Sequence, residues 1–262
     1  MKTKTLLVIV MVLMIIPQFL WARPKKEKQE FYQLTVYHYT TVDQEKILDD
    51  YFQQALIPSL HEKGVRSVGV FKAIANDTSV NKSMYVFIPV KSLNRIDEIN
   101  RKLMKNEQFK SAGKEYLNVL HNAPAYTRME TIILKAFALS PVMRLPQLTS
   151  PKNERVYELR SYESAGETIF RNKVHMFNEG GEMDIFTKLN FNPVFYGEVV
   201  AGSQMPNLMY MTTFENKADR EAHWDAFGSD PDWKQLSSLP EYKNNVSHID
   251  VTFLRPADYS DF

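Results

Sequence analysis

The 262-residue sequence predicts an α+β fold: two tandem ferredoxin-like (β-α-β-β-α-β) units packed sheet to sheet as a pseudo-dimeric α/β barrel. Three observations carry that reading. Val156-Tyr157-Glu158-Leu159-Arg160-Ser161-Tyr162 echoes Phe31-Tyr32-Gln33-Leu34-Thr35-Val36-Tyr37, 125 residues earlier. Further pairs repeat at nearly the same spacing: Met84-Tyr85 with Met209-Tyr210, Phe109-Lys110 with Trp233-Lys234, Glu115-Tyr116 with Glu241-Tyr242. Large side chains also occupy both faces of the opening strands. Helices cover only one face of a ferredoxin-like sheet, so the other apolar face needs burial, and a second such sheet in the same chain supplies it.

The first unit spans residues 30–137. Phe31 to Tyr39 alternates, with Tyr32, Leu34 and Val36 on one face and Phe31, Gln33, Thr35 and Tyr37 on the other. Thr41-Val42-Asp43-Gln44 reads as a capping box. Ile47, Leu48, Tyr51, Phe52, Ala55 and Leu56 then recur at helical spacing. Pro58 should kink or end this helix, and Gly64 should stop it. Val65 to Ile74 is the second strand, with Gly69 its weak point. Met84 to Ile88 is the third, ended by Pro89. Ser92 caps a helix with Leu93, Ile96, Ile99 and Leu103 on its apolar side, and Thr131 to Phe137 closes the unit.

Pro141, Pro146 and Pro151 mark residues 138–152 as a linker. Its leucines, Val142 and Met143 suggest that it lies along a surface. The second unit, residues 153–262, repeats the order. Val156–Tyr162 is a strand, followed by a second capping box at Ser164-Ala165-Gly166-Glu167. A helix from Thr168 is interrupted at Gly180-Gly181, and strands follow at Phe191–Val200 and Leu208–Phe214. Asn216 caps a helix to Phe227, and His248–Leu254 is the last strand.

Residues 1–22 are different material. Lys2 and Lys4 precede an unbroken apolar run from Leu6 to Ile16, then Pro17 and a small residue at Ala22, the pattern of a secretory signal peptide. The run is short for a membrane span of roughly 20 residues. Export, periplasmic or secreted, is the expectation; a retained signal would make a membrane anchor. Residues 23–29 are a charged leader. There is no cysteine, so neither a lipidated cysteine nor a disulfide is available. Cleavage takes away Lys2 and Lys4 and no acid, leaving 30 basic against 31 acidic residues, a net of −1. That balance gives no footprint for nucleic acid. No membrane span is expected after cleavage, and self-association stays open.

The opening Tyr157-Glu158-Leu159-Arg160-x-Tyr162, the Met209-Tyr210 strand, the His223-Trp224 helix, Asp230-Pro231-Asp232-Trp233 and the closing Leu254-Arg255-Pro256 resemble NIPSNAP proteins, a branch of the dimeric α/β-barrel superfamily. The resemblance covers roughly residues 30–260 as two copies and is most specific in the second. In the first, Thr35 replaces the arginine, Asn100-Arg101 stands at the His-Trp position and Asn106-Glu107-Gln108-Phe109 replaces the Asp-Pro-x-Trp turn. The resemblance implies a scaffold role for the first copy. It brings no settled activity, although barrel relatives include monooxygenases and haem-degrading enzymes.

The densest polar cluster is His175-Met176-Phe177-Asn178-Glu179-Gly180-Gly181-Glu182. His175, Glu179 and Glu182 are spaced to share one helix face. An imidazole with two carboxylates suits a divalent metal or acid–base work, so these three are the catalytic and metal candidates. The competing interpretation is a solvated helix surface ending at the glycines, a pair that costs about 2 kcal/mol of helix propensity. His223, Trp224 and Trp233 either edge a pocket or pack on their own sheet. Glu158 and Arg160 are expected to face the barrel interior, either as an ion pair between the copies or with Arg160 binding an anion. Asn178, Tyr196, Glu198 and Tyr210 complete the ligand-binding candidates. His175, His223 and His248 lack any haem-attachment motif, and no cofactor is indicated. The preferred function is an exported protein that binds a small molecule in the barrel or an adjacent cleft. An oxygenase- or isomerase-type enzyme using His175 and nearby carboxylates is the alternative, and a structural or interaction module the second.

Overall fold

The computed structural model describes residues 27–262. The signal-peptide expectation and most of the charged leader lie outside the described residues. The described residues contain eight strands: β1 (Phe31–Tyr39), β2 (Gly69–Ala73), β3 (Lys82–Val90), β4 (Arg128–Ala136), β5 (Val156–Glu163), β6 (Phe195–Ala201), β7 (Asn207–Phe214) and β8 (His248–Pro256). They form one closed antiparallel barrel in the order β1-β3-β2-β8-β5-β7-β6-β4. Each half contributes four adjacent strands in ferredoxin-like order. The halves meet by hydrogen bonding at two seams as well as by facing each other: β2 pairs with β8 through Phe71↔Pro256 to Ala73↔Leu254, and β4 pairs with β6 through Leu134↔Val199 to Ala136↔Gly197. Closure gives every strand a paired neighbour on both sides over at least part of its length.

Period-2 alternation divides every strand between an inward and an outward face. Inward residues of both halves make the barrel core, among them Tyr32, Leu34, Phe71, Phe87, Tyr157, Leu159, Phe195 and Leu254. Phe262, near-fully buried, packs its ring against Phe71 and Phe87 and plugs one end. Outward residues of β1–β3 and of β5–β7 meet the helices in two further cores, one per half, whereas outward residues of β4 and β8, among them Met129, Ile249, Val251 and Phe253, stay exposed.

The helical layer of the first half begins with α1 (Val42–Tyr51). Thr41 Oγ1 accepts the Gln44 amide at 3.2 Å, and the Gln44 side chain accepts from Thr40, one residue before the cap. Pro58 does not end this helix. A π-helical segment, Phe52–Leu56, absorbs the missing proline donor and the chain continues as α2 (Ile57–Glu62). Gly64, at φ +82°, provides the stop. Pro89 also fails to end its strand; β2 pairs only as far as Phe87, so one edge of β3 beyond it is free and a missing donor is tolerated there. α3 (Leu93–Leu103), α4 (Glu107–Ala112) and α5 (Lys114–Leu117) complete this half.

The second half carries α6 (Glu167–Asn178), α7 (Glu182–Lys188), α8 (Lys217–Ser229) and α9 (Pro231–Ser238). Its expected capping box is not made: Gly166 is the N-cap of α6, and Ser164 Oγ donates to the Asn245 carbonyl instead. Asn216 does cap α8, accepting the Asp219 amide. The Met84-Tyr85 and Met209-Tyr210 echo is one residue out of structural register. Tyr85 stands on the inward face, whereas Tyr210 belongs to the helix-side core. No helix among the described residues is long and apolar enough to cross a membrane.

Candidate functional site

The chemistry-bearing side chains gather in the second half, between the outer face of β5 and the helices. Tyr157 and Leu159 point into the barrel, so Glu158 and Arg160 point out, opposite to the expectation from sequence. Their partners come from the same half. Glu158, 0% exposed, accepts from Arg160 at 2.8 Å, from Arg220 Nε at 2.7 Å and Nη2 at 3.0 Å, and from Trp224 Nε1 at 2.8 Å. Arg220 and Trp224 lie four residues apart on α8 and therefore reach down together. The Arg160 guanidinium sits 4.3 Å from the Trp224 ring centroid. Two guanidiniums share this one buried carboxylate, and the more exposed Glu221 meets Arg220 Nη1 at 3.0 Å, so the charges of the cluster balance.

A second buried pair follows from the break between α6 and α7. Gly181 takes φ +95°, which resets the phase of the helix. Glu182 is thereby turned into the core, where Lys173 meets it at 2.7 Å with side-chain exposures of 4% and 2%. Burial raises the Glu182 carboxyl above its ordinary range, against the pull of Lys173. Beside the pair, the Tyr162 and Tyr210 hydroxyls share a 2.8 Å hydrogen bond. Burial pushes Tyr162 up to about 12 and also raises Tyr210 well above its ordinary value.

The His175, Glu179 and Glu182 candidates do not converge. His175 and Glu179 are exposed on the outside of α6, Glu182 is buried, and His175 Nδ1 bonds the Tyr242 hydroxyl at 2.9 Å. A single uninterrupted helix would have aligned them; the glycine break does not. The enzyme reading built on this trio loses its constellation, as does the metal reading. Trp233 packs on Phe227 with centroids 4.4 Å apart, and Glu198 sits half-buried on β6 opposite Lys135 and Leu208.

Three other candidates share a wall. Asn178, Tyr196 and His223 line a groove of about 630 Å³ between the 138–152 segment and the second half. Leu139, Leu145, Leu148, Met183 and Val194 supply its apolar surface. The segment is held in place by the Leu139 amide on Asn178 Oδ1 and the Arg144 amide on the Val194 carbonyl. Glu215 accepts from the Thr149 and Ser150 amides, and the hydrogen bonds hold its carboxyl down at about 2. His223 Nδ1 lies 2.8 Å from the Asp219 carbonyl oxygen. The Tyr196 hydroxyl is buried with no hydrogen-bond partner among the described residues, and burial raises its pKa. Sequence reasoning missed Lys173, Arg220, Arg144 and Glu215. Only Arg220 had a local signal, its four-residue spacing from Trp224.

A family model described as NIPSNAP matches residues 157–261. The second half is a NIPSNAP domain. Solved structures share the fold of both halves together. A monooxygenase-like protein from Lactobacillus acidophilus NCFM superposes with a TM-score of 0.56 at 13% identity, covering 87% of this chain and 94% of that one. An anthrone oxidase-like protein does so at 0.53 and 11%, covering 88% and 93%. A NIPSNAP family protein from Agrobacterium tumefaciens str. C58 is 17% identical over 45% of this chain and 98% of its own, with a TM-score of 0.37. No curated protein matches the chain.

The NIPSNAP domain differs from the first half at the sheet–helix contact. Gln33 and Thr35 stand at the positions of Glu158 and Arg160, joined by one neutral hydrogen bond of 3.2 Å. Where the NIPSNAP domain packs two guanidiniums and an indole, the first half keeps a cavity of about 190 Å³ lined by Tyr37, Tyr51, Val86, Ile99 and Phe109. The buried charge is confined to the NIPSNAP domain.

Proposed function

We propose that this is an exported protein that binds a small molecule in the groove between residues 138–152 and the NIPSNAP domain. The observation that carries the reading is the groove itself. Its volume of about 630 Å³ falls in the range of ligand clefts, roughly 300–1,000 Å³. Apolar patches alternate there with Asn178, His223, Asp219 and Glu215. Those groups suit a ligand with an apolar body and hydroxyl or amine substituents. Two proteins sharing the fold are named for oxidation chemistry, which supports a small-molecule ligand at the level of fold alone. The basic start and apolar run of residues 1–22 support export.

The test is an NMR titration of the protein with a panel of hydroxylated aromatic and aliphatic amines. Shift changes are expected to cluster on Asn178, Thr213 and His223, and to vanish in Thr187→Trp, which places an indole in the groove. Shifts mapping elsewhere, or persisting in Thr187→Trp, overturn the assignment. N-terminal sequencing of the exported protein tests cleavage near Ala22.

A further inference from the structure

The end of the barrel opposite Phe262 is a funnel of about 420 Å³, walled by Leu34, Leu159, Ser161 and Met209. On its rim the inward alternation of β5 and β8 places Glu163, His248 and Asp250 side by side, Glu163 directly opposite His248 in the ladder. One donor atom from each lies within 4.8 Å of the other two. A single ion with bonds of about 2.0–2.2 Å holds its donors no more than about 4.4 Å apart, so small side-chain rotations close the set. Neither carboxylate has a lysine or arginine partner among the described residues; the one ion-pair partner of Asp250 is His248.

An independent observation points to a ligand here. Asn207 stands opposite Glu163 on the other side of β5 and is only 1% exposed. Cross-strand neighbours of this kind share a face, with Cβ atoms about 4.5–5.5 Å apart. Its Nδ2 donates to Ser161 Oγ at 2.8 Å, but its amide oxygen is buried with no partner among the described residues. A buried carbonyl oxygen left unanswered costs about 1–3 kcal/mol; a cation at the rim would answer it.

We propose that Glu163, His248 and Asp250 bind a divalent transition-metal ion, with the Asn207 amide oxygen turned toward it. Two carboxylates and one imidazole suit Zn²⁺ or Mn²⁺ better than a purely hard ion such as Mg²⁺. The first half provides the internal contrast. By register its matching rim positions carry His38, Arg128 and Glu130, a single carboxylate with a guanidinium where His248 stands. The site therefore belongs to the second half alone, and it is independent of the groove.

The experiment is calorimetric titration of the metal-free protein with Zn²⁺ and with Mn²⁺, with Mg²⁺ for comparison. One saturable site is expected, weakened at least tenfold by His248→Ala and by Asp250→Asn, and unchanged by His38→Ala and His175→Ala. The rim side chains are half-exposed, so these variants keep the fold, checked by circular dichroism. Absence of saturable binding, or affinity that follows His38 or His175 instead of His248, overturns the proposal.

Discussion

A carboxylate removed from water must have its lone pairs answered and its charge balanced. Glu158 meets both demands with N–H donors from Arg160, Arg220 and Trp224. Glu158→Gln removes the charge, leaving Arg160 without its ion-pair partner and Arg220 with only the more exposed carboxylate of Glu221. Breaking a buried pair from one side costs about 3–5 kcal/mol, and urea denaturation should show a loss of that size. Glu179→Gln, on the exposed side of α6, should stay within about 0.5 kcal/mol. Similar losses for the two would remove Glu158 from its central place. The alternation of Tyr157-Glu158-Leu159-Arg160 was legible in the sequence, but the face was not. Period 2 separates two sets of side chains without saying which set meets the barrel interior. What decided it was Arg220 and Trp224, sixty-odd positions away, waiting on the helix side.

Among the elements, the prolines and glycines had the clearest local meaning and still misled in places. Gly64 and Gly181 take positive φ where the sequence placed breaks. Pro58 and Pro89 did not end their elements, because a π-helical segment and a free strand edge accommodated the missing donors. The reading of 138–152 as a surface-hugging linker rested on composition; its anchors were invisible, since Glu215 lies 65 residues from Ser150. Glu215 gives that element a pH dependence. Its carboxyl is held at about 2 in the folded protein by the Ser150 and Thr149 hydrogen bonds, against an ordinary value of 4.5. A depressed carboxylate stabilises above its unfolded value and loses that contribution as pH falls through the folded one. The linker's attachment should therefore be complete above about pH 4.5 and weaken toward pH 2. Proteolysis at residues 138–152 should rise across that window, and Glu215→Gln should be cut readily at neutral pH as well. A cleavage rate in the parent protein that is flat from pH 5 to 2 would count against the anchor.

At the scale of the molecule, the repeated strand motif and the apolar second sheet face were enough to foresee a barrel built from two halves. The seams were not foreseeable. Both β2–β8 and β4–β6 join strands whose sequences carry no mark of mutual pairing, and register is set by the twist and closure of the whole sheet. The same limit hid the rim cluster, since Glu163 and His248 are brought opposite each other only by the β5–β8 ladder. The account's central claim is that eight strands from two halves form one closed, cooperative unit around a shared core. Native-state hydrogen exchange tests it most directly, because it reads the opening free energy of each amide. Seam amides on β2 and β4, such as Lys72 opposite Arg255 and Lys135 opposite Glu198, should exchange only through global unfolding, with the same free energy as Leu34 in the centre of the first sheet. Seam amides that open at a distinctly lower free energy, while β1 and β5 stay protected, would show two separable halves and contradict the closed barrel.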